Sequence, residues 1–139
     1  MADNSRQLRS LFDERVRDLG LTAVQARLLV SLDLYPGENQ AFYADRLEVE
    51  PITLTRIADR MEESGWVERH PDPDDRRARL LWLTEKSRGI VAQVESIIDR
   101  LFEDMLTGLS EAERQALTRM LDTIGENIAA ARLKEPVHG

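Results

Sequence analysis

Apolar residues recur every three or four positions along most of this chain, with charged residues between them. This spacing is typical of amphipathic helices that bury one side and expose the other. It predicts six helices, at residues 5–19, 22–35, 40–47, 51–63, 84–106 and 110–128. The stretch between the fourth and fifth helices departs from this spacing, so we expect a mainly helical protein with one different element.

Two helix starts are marked by residues whose side chains can bond to backbone groups. Thr22 with Gln25, and Ser110 with Glu113, form the capping-box pattern that opens a helix. At the other end of the chain, residues 132–139 show no apolar periodicity, and we expect them to fray.

The helix at 51–63 has the clearest two-sided pattern. Four apolar residues share one side: Leu54, Ile57, Ala58 and Met61. The other side presents Thr53, Arg56 and Arg60, which point the same way at about 100° per residue. Pro51 suits the first helical position, where the N–H that it lacks would have no partner. Such a polar face is suited to lying in a groove.

The stretch after this helix has the composition of a hairpin. Gly65 provides a helix stop that tolerates positive φ, and residues 66–69 and 80–83 have the pattern of two short strands. Between them, residues 71–75 are prolines and aspartates, which indicate a hairpin tip. Three arginines lead from the tip into the second strand: Arg76, Arg77 and Arg79. Helix, strand, charged tip and strand in this order predict a winged helix.

Five short runs in these segments, taken in order, carry a family resemblance: Thr53-Leu54-Thr55-Arg56, Asp59-Arg60-Met61-Glu62, Gly65-Trp66-Val67-Glu68-Arg69, Asp74-Asp75-Arg76-Arg77-Ala78 and Leu83-Thr84-Glu85-Lys86. At these residues the sequence resembles the MarR/SlyA family of transcriptional regulators. Several linked motifs in one order are far more specific than any one of them. A weaker resemblance extends over about residues 8–128.

The resemblance implies one domain over residues 1–139, a winged helix-turn-helix with terminal dimerisation helices. Its winged core would occupy about residues 21–84, and the dimerisation helices about 5–19 and 85–131. We therefore expect a fold that is mainly α with a small β-hairpin wing. Glu48 stands where many relatives have glycine in the turn, and a positive φ at this residue would cost about 1 kcal/mol.

The resemblance also implies a homodimeric DNA-binding regulator. We expect it to act as a repressor of a pseudo-palindromic operator. Helix 51–63 would read the major groove of double-stranded DNA, and the wing arginines would reach the minor groove. The terminal apolar stripes exceed what one small winged helix covers, and a second copy of the chain would bury them. A small aromatic or phenolic effector is expected to release the DNA. Phe12 and Leu29 are candidates for lining its site, with core packing as the alternative.

Eight residues are candidates for contact with DNA: Gln40, Thr53, Thr55, Arg56, Arg60, Asp75, Arg76 and Arg77. Arginines can neutralise phosphates or enter a narrow minor groove, and the glutamine and threonines can bind phosphate or a base edge. For Asp75 two roles stay open, orientation of the Arg77 guanidinium and plain turn chemistry. Helix solubilisation remains the alternative for Arg56 and Arg60, and a helix-start role for Gln40.

Composition narrows the possible chemistry. The chain has no cysteine, which excludes disulfides, thiolate zinc sites and thiol-based redox sensing. His70 and His138 are isolated and lack the spacing of metal ligands. With no acid/base pair, phosphate loop or nucleophile motif, we expect neither an enzyme nor a cofactor. We find no apolar run long enough for a membrane span and no signal-peptide core, so we expect the cytoplasm.

The net charge of −7 argues against DNA binding when it is taken over the whole chain. Residues 51–90, however, hold eight basic and eight acidic side chains, so the excess of negative charge lies elsewhere. A neutral reading surface on an acidic body can bind DNA with modest, salt-sensitive affinity. The acidic body and Glu62, Glu63 and Glu68 leave open an alternative: a winged-helix protein-interaction or anti-repressor module that does not bind DNA. No motif names the operator, the effector or the direction of regulation.

Overall fold

A computed structural model of the chain describes residues 2–134. Their elements are, in order, α1 (Ala2–Arg17), α2 (Ala23–Leu34), α3 (Gln40–Leu47), α4 (Pro51–Glu63), β1 (Val67–Asp72), β2 (Asp75–Leu83), a 3₁₀ turn (Glu85–Ser87), α5 (Arg88–Met105) and α6 (Glu111–Lys134). Helices predominate and the two strands pair as a hairpin, which confirms the predicted fold class. The chain divides into two compact units between Leu101 and Phe102.

The predicted bounds of α3 and α4 are confirmed, because the ends of both helices are marked locally in the sequence. The Oδ1 atom of Asn39 accepts the N–H of Phe42 at 2.9 Å and so caps α3. Pro51 opens α4. At the start of α2 the predicted capping box is also confirmed. Gln25 donates its backbone N–H to Thr22 Oγ1, and Thr22 donates its own to Gln25 Oε1, both at 3.1 Å.

The first unit closes around apolar side chains from its helices and from the hairpin. Its large, fully buried residues include Val16, Leu28, Leu29, Leu32, Tyr43, Leu54, Met61 and Leu81. In α4, Ala58 is buried as well, and Ile57 packs against this core while it stays partly exposed. The apolar stripe predicted for α4 therefore faces the core. Its burial leaves the opposite side of the helix in solvent.

The turn between α3 and α4 contains a strained residue. Glu48 lies in the left-handed region, with φ 55° and ψ 44°, so the turn does require the positive φ that its position suggested. Its N–H donates to the carbonyl oxygen of Asp45 at 3.2 Å, which closes α3. A strain of about 1 kcal/mol is thus held at the corner between the two helices.

The hairpin is longer than predicted. Strand β1 pairs antiparallel with β2, with Val67 opposite Leu83 and Pro71 opposite Arg79. The expectation that residues 71–75 form only the tip is wrong, since Pro71 and Asp72 belong to β1 and β2 already begins at Asp75. Proline is compatible with this place because each strand of a two-stranded sheet is an edge strand, and the register is irregular just after it.

The step from the hairpin into α5 is held by side-chain bonds. Thr84 and Ser87 cap each other across the 3₁₀ turn, and Thr84 Oγ1 also donates to the carbonyl oxygen of Gly65 at 2.6 Å. Ser87 is fully buried. The helix predicted from residue 84 therefore starts as a 3₁₀ turn, and α5 proper begins at Arg88.

The second unit consists of the end of α5, a turn at Gly108, and α6. Ser110 and Glu113 form the predicted capping box, with bonds of 2.8 and 3.2 Å. No described residue of α6 is buried. Large apolar side chains are exposed along this unit: Phe102, Met105, Leu109, Met120, Leu121, Ile124, Ile128 and Leu133. An apolar surface of this extent is a common mark of a protein–protein interface.

The predicted fraying of the tail is wrong for residues 132–134, which continue α6. An arginine and a lysine in the last turn suit the negative end of the helix dipole. The rest of that segment, including His138, lies outside the described residues. Within residues 2–134, no helix combines the length and apolar character needed to cross a membrane.

Candidate nucleic-acid interface

The outer side of α4 presents exposed polar side chains. Thr53, Arg56 and Arg60 are all exposed, as the spacing predicted, because the buried side of the helix lies opposite. Neither guanidinium group bonds to another group among residues 2–134. Two free cations on one exposed helix side are able to bind an anion from outside the molecule.

The first turn of α4 has no side-chain cap. Its N-cap residue, Glu50, makes no side-chain bond to the helix. Because the first backbone N–H groups of a helix lack partners within it, this end carries partial positive charge. Thr55, one turn further, donates its hydroxyl to the carbonyl oxygen of Pro51 at 3.1 Å.

Three of the arginines of the wing lie on β2. Arg76, Arg77 and Arg79 are exposed, and their guanidinium groups have no partner among residues 2–134. Asp75 Oδ1 accepts the backbone N–H of Arg77 at 2.9 Å, which is the turn chemistry left open above. No bond joins Asp75 to the Arg77 guanidinium within residues 2–134, so orientation of this group by Asp75 stays a prediction for the DNA-bound protein only.

Sequence reasoning missed the residue that ties the wing to α4. The Nη2 atom of Arg69 in β1 lies 2.6 Å from Asp59 Oδ1 and 2.9 Å from Glu62 Oε1. Its Nη1 atom lies 3.5 Å from the side-chain oxygen of Gln40 in α3. The side chain of Arg69 is only 19% exposed, while both carboxylates are about half exposed. One guanidinium group therefore joins three elements.

This cluster changes the electrostatics of the helix. The hydrogen bond from Arg69 lowers the pKa of Glu62, and the same bond raises the pKa of Arg69. Since Asp59 and Glu62 are both held by Arg69, they are not paired with the arginines on the outer side of α4. Within residues 2–134, Arg56 and Arg60 form no ion pair with a carboxylate of the helix.

Gln40 and Thr55 face each other at the junction of α3 and α4. Gln40 donates its Nε2 hydrogen to Thr55 Oγ1 at 3.2 Å, and both residues are partly buried. The two side chains therefore hold the two helices together. Their contacts with DNA remain predictions.

A concave surface of about 280 Å³ lies beside this junction. It brings together four of the predicted site residues: Gln40, Thr55, Asp75 and Arg77. Arg79, which was not among the candidates, also lines it. Arg56, Arg60, Thr53 and Arg76 lie outside this lining. The eight predicted DNA-contact residues therefore fall into two groups. Four line the concave surface between the helices and the wing, and the other four are exposed on α4 and the wing outside it.

The two candidate effector residues belong to the core region of the first unit. Leu29 is fully buried, and Phe12 is partly buried and packs against the core. Core packing, the alternative given above, accounts for both positions, and a ligand role stays a prediction. Among residues 2–134, no three histidine or carboxylate side chains are grouped as a metal site would require.

Comparisons with a family profile and with solved structures point to the same family as the sequence motifs. The MarR family profile matches residues 21–78. A crystal structure of MarR matches with a TM-score of 0.82 and 27% identity, over 94% of this chain and 88% of the other. Wild-type MarR from E. coli in its apo form matches with a TM-score of 0.75 and 28% identity, over 86% and 89% of the two chains.

One further match was solved with nucleic acid. It is a cysteine-to-serine mutant of MarR from E. coli complexed with operator DNA, with a TM-score of 0.69 and 28% identity, over 86% of each chain. The family profile covers α2 to the first part of β2, a segment that contains α4, β1 and the tip of the wing. The chain therefore carries a MarR-family domain over residues 21–78, and the members of this family are winged-helix transcriptional regulators, not enzymes.

Proposed function

We propose that this protein is a homodimeric repressor that binds a pseudo-palindromic operator in double-stranded DNA. The observation that carries the proposal is the set of free guanidinium groups on two adjacent surfaces. Arg56 and Arg60 extend from α4, while Arg76 and Arg77 extend from the wing. The cytoplasm, expected from the sequence, is the location that belongs to this proposal.

Charge supports this reading despite the acidic chain. Residues 51–90 are neutral overall, and two of their carboxylates, Asp59 and Glu62, are already bound by Arg69. The exposed arginines can therefore meet phosphates without first breaking an ion pair. Each phosphate that an arginine neutralises releases counterions, so binding should weaken as salt rises.

The shapes of the two surfaces suit different grooves. A helix with an uncapped N-terminus and exposed threonine and arginine fits the major groove, where side chains can reach base edges. An arginine near the tip of a hairpin can enter the minor groove, where a narrow A·T tract concentrates negative potential. Thr53 and Arg56 would contact bases or phosphates, and Arg77 would occupy the minor groove. The complex of a MarR mutant with operator DNA supports this use of the fold.

Dimerisation is supported by the second unit, where eight large apolar side chains are exposed and no described residue of α6 is buried. A second copy is the occupant that would cover them, because a two-fold axis presents the same patch on both subunits. Two α4 helices related by this axis would read half-sites about 10 bp apart.

The proposal includes regulation by a small aromatic or phenolic acid. Family resemblance supports it, with Phe12 and Leu29 as candidate lining residues. A ligand that favours a spacing of the two DNA-binding parts unsuited to adjacent grooves would release the operator.

The test is a selection of binding sites from a random DNA duplex library at two salt concentrations. We expect a two-fold-symmetric motif whose binding weakens with salt. The matched control is the double variant Arg76→Ala/Arg77→Ala, which should recover no such motif while it stays folded. No enrichment by a folded, ligand-free dimer would contradict the proposal and favour the protein-interaction alternative, for which the net charge of −7 is the supporting observation.

A further inference from the structure

An apolar side chain stands in the middle of the polar outer side of α4. Ile52 occupies the second position of the helix and is 63% exposed. At about 100° per residue it lies roughly 200° from Leu54 and 180° from Met61, both of which are fully buried. It is only about 40° from Arg56. Ile52 therefore points directly away from the core.

Packing within the described residues does not account for this isoleucine. It is absent from the apolar cluster that includes Leu54 and Met61, and from the partly buried residues packed against that cluster. A β-branched side chain is also a weaker helix former than the straight-chain polar residues that usually occupy exposed positions. An exposed isoleucine here offers contact area to something outside the subunit.

The surface that α4 would meet in the major groove has mainly polar groups. Base edges there present hydrogen-bond donors and acceptors, and thymine adds its C5-methyl group as an apolar contact. The N-terminal part of a recognition helix is the part that reaches base edges. Ile52 lies in the first turn of α4, beside Thr53 and one turn before Arg56. Its side chain would thus reach the groove floor together with these polar residues.

We propose that Ile52 determines part of the operator sequence by packing against the C5-methyl group of a thymine in each half-site. This inference rests on the proposed DNA binding and adds to it a named residue and the base that it prefers. Burial of the one thymine methyl group corresponds to about a fourfold gain in affinity per half-site.

The test uses the duplex recovered from the selection, in which each thymine is replaced in turn by deoxyuridine. Deoxyuridine pairs as thymidine does but lacks the methyl group. We expect wild-type protein to lose affinity about fourfold per half-site at one symmetric position. The variant Ile52→Ala should bind the unmodified duplex more weakly and show no further loss at that position. Ile52→Val should keep part of the sensitivity.

Glu63→Ala provides the matched control, because Glu63 is exposed at the other end of the same helix side. This variant should keep the full deoxyuridine effect. Salt-sensitive binding by wild-type protein with no deoxyuridine effect would overturn this inference and leave the proposed function standing. An equal deoxyuridine effect in wild type and Ile52→Ala would also overturn it, since another residue would then read the methyl group. If wild type binds no duplex, both proposals are wrong.

Discussion

Replacing Arg77 with alanine should separate DNA binding from folding. The Arg77 guanidinium makes no bond among residues 2–134, so its removal takes no ion pair from the subunit. Its backbone N–H, which Asp75 holds, stays in place in the variant. We therefore expect the free energy of unfolding to change by less than about 0.5 kcal/mol, the usual range for a surface substitution.

The effect on DNA affinity should be much larger. Loss of an arginine contact with a narrow minor groove or a phosphate should reduce the free energy of DNA binding by about 1–3 kcal/mol, which is about a 5- to 140-fold rise in Kd. The logarithm of affinity against the logarithm of salt concentration should also become less steep, by about 0.9 for each phosphate contact that is lost. The dimer should persist, because Arg77 lies outside the apolar surface of the second unit.

The assay is fluorescence anisotropy with the selected operator duplex at several salt concentrations, with the dimer checked by analytical ultracentrifugation. Arg9→Ala is the charge-matched control, since Arg9 is exposed in α1 and also lacks a bonded partner among residues 2–134. Arg77→Lys should recover part of the affinity, as it restores charge without the planar guanidinium.

Unchanged affinity of Arg77→Ala on the true operator would refute the assignment of the wing to DNA. Equal losses in Arg77→Ala and Arg9→Ala would refute it too, because the change in net charge alone would then explain both.

Three further substitutions test the structure that supports the site. Glu48→Gly should stabilise the protein by about 0.5 kcal/mol in urea unfolding, since relief of about 1 kcal/mol of strain at the positive φ exceeds the roughly 0.5 kcal/mol of entropy that glycine adds to the unfolded chain; a loss of stability would contradict the strain. Gly37→Ala should destabilise by about 1–2 kcal/mol, because φ is +77° there and a Cβ would lie 2.4 Å from Trp82 Cζ2; unchanged unfolding would contradict both the strain at this φ and the close approach of Trp82. Arg69→Met should lower stability by about 1–2 kcal/mol at neutral pH, since the half-exposed carboxylates are partly screened. Because the pKa of Glu62 is lowered, its stabilisation is present above the ordinary value of 4.5 and is lost as pH falls through the folded-state pKa. The free energy of unfolding should therefore fall less at acid pH in Arg69→Met than in wild type. An equal fall in both proteins would show that this ion pair does not cause the acid dependence.

Features governed by neighbouring residues could be predicted from the sequence. The bounds of α3 and α4 follow from Pro51 and the apolar spacing, and the capping box at Thr22 follows from two residues three positions apart. The positive φ of Glu48 could be suspected because relatives have glycine there. In each case the cause lies within about one helical turn of the residue.

Features that depend on which elements pack together could not be predicted. The bonds of Arg69 require the return of β1 along α4, which no local pattern specifies. The sequence did not predict that Pro71 pairs in β1. A strand tolerates proline only where its missing N–H has no partner, and this depends on how the neighbouring strand pairs. For Asp75, the sequence allowed both a backbone and a side-chain partner, and the geometry of the tip selects the backbone N–H of Arg77.

The bonds of Arg69 also bear on what kind of operator this protein can accept. Because one guanidinium group binds β1 to α4 and contacts α3, we expect the helix and the wing to move together as one body. In the proposed complex, the distance between the bases under α4 and the minor groove under the wing would then be fixed by the protein. Insertion of a single base pair between these two segments of a half-site should therefore abolish simultaneous contact, whereas base changes within either segment only weaken it.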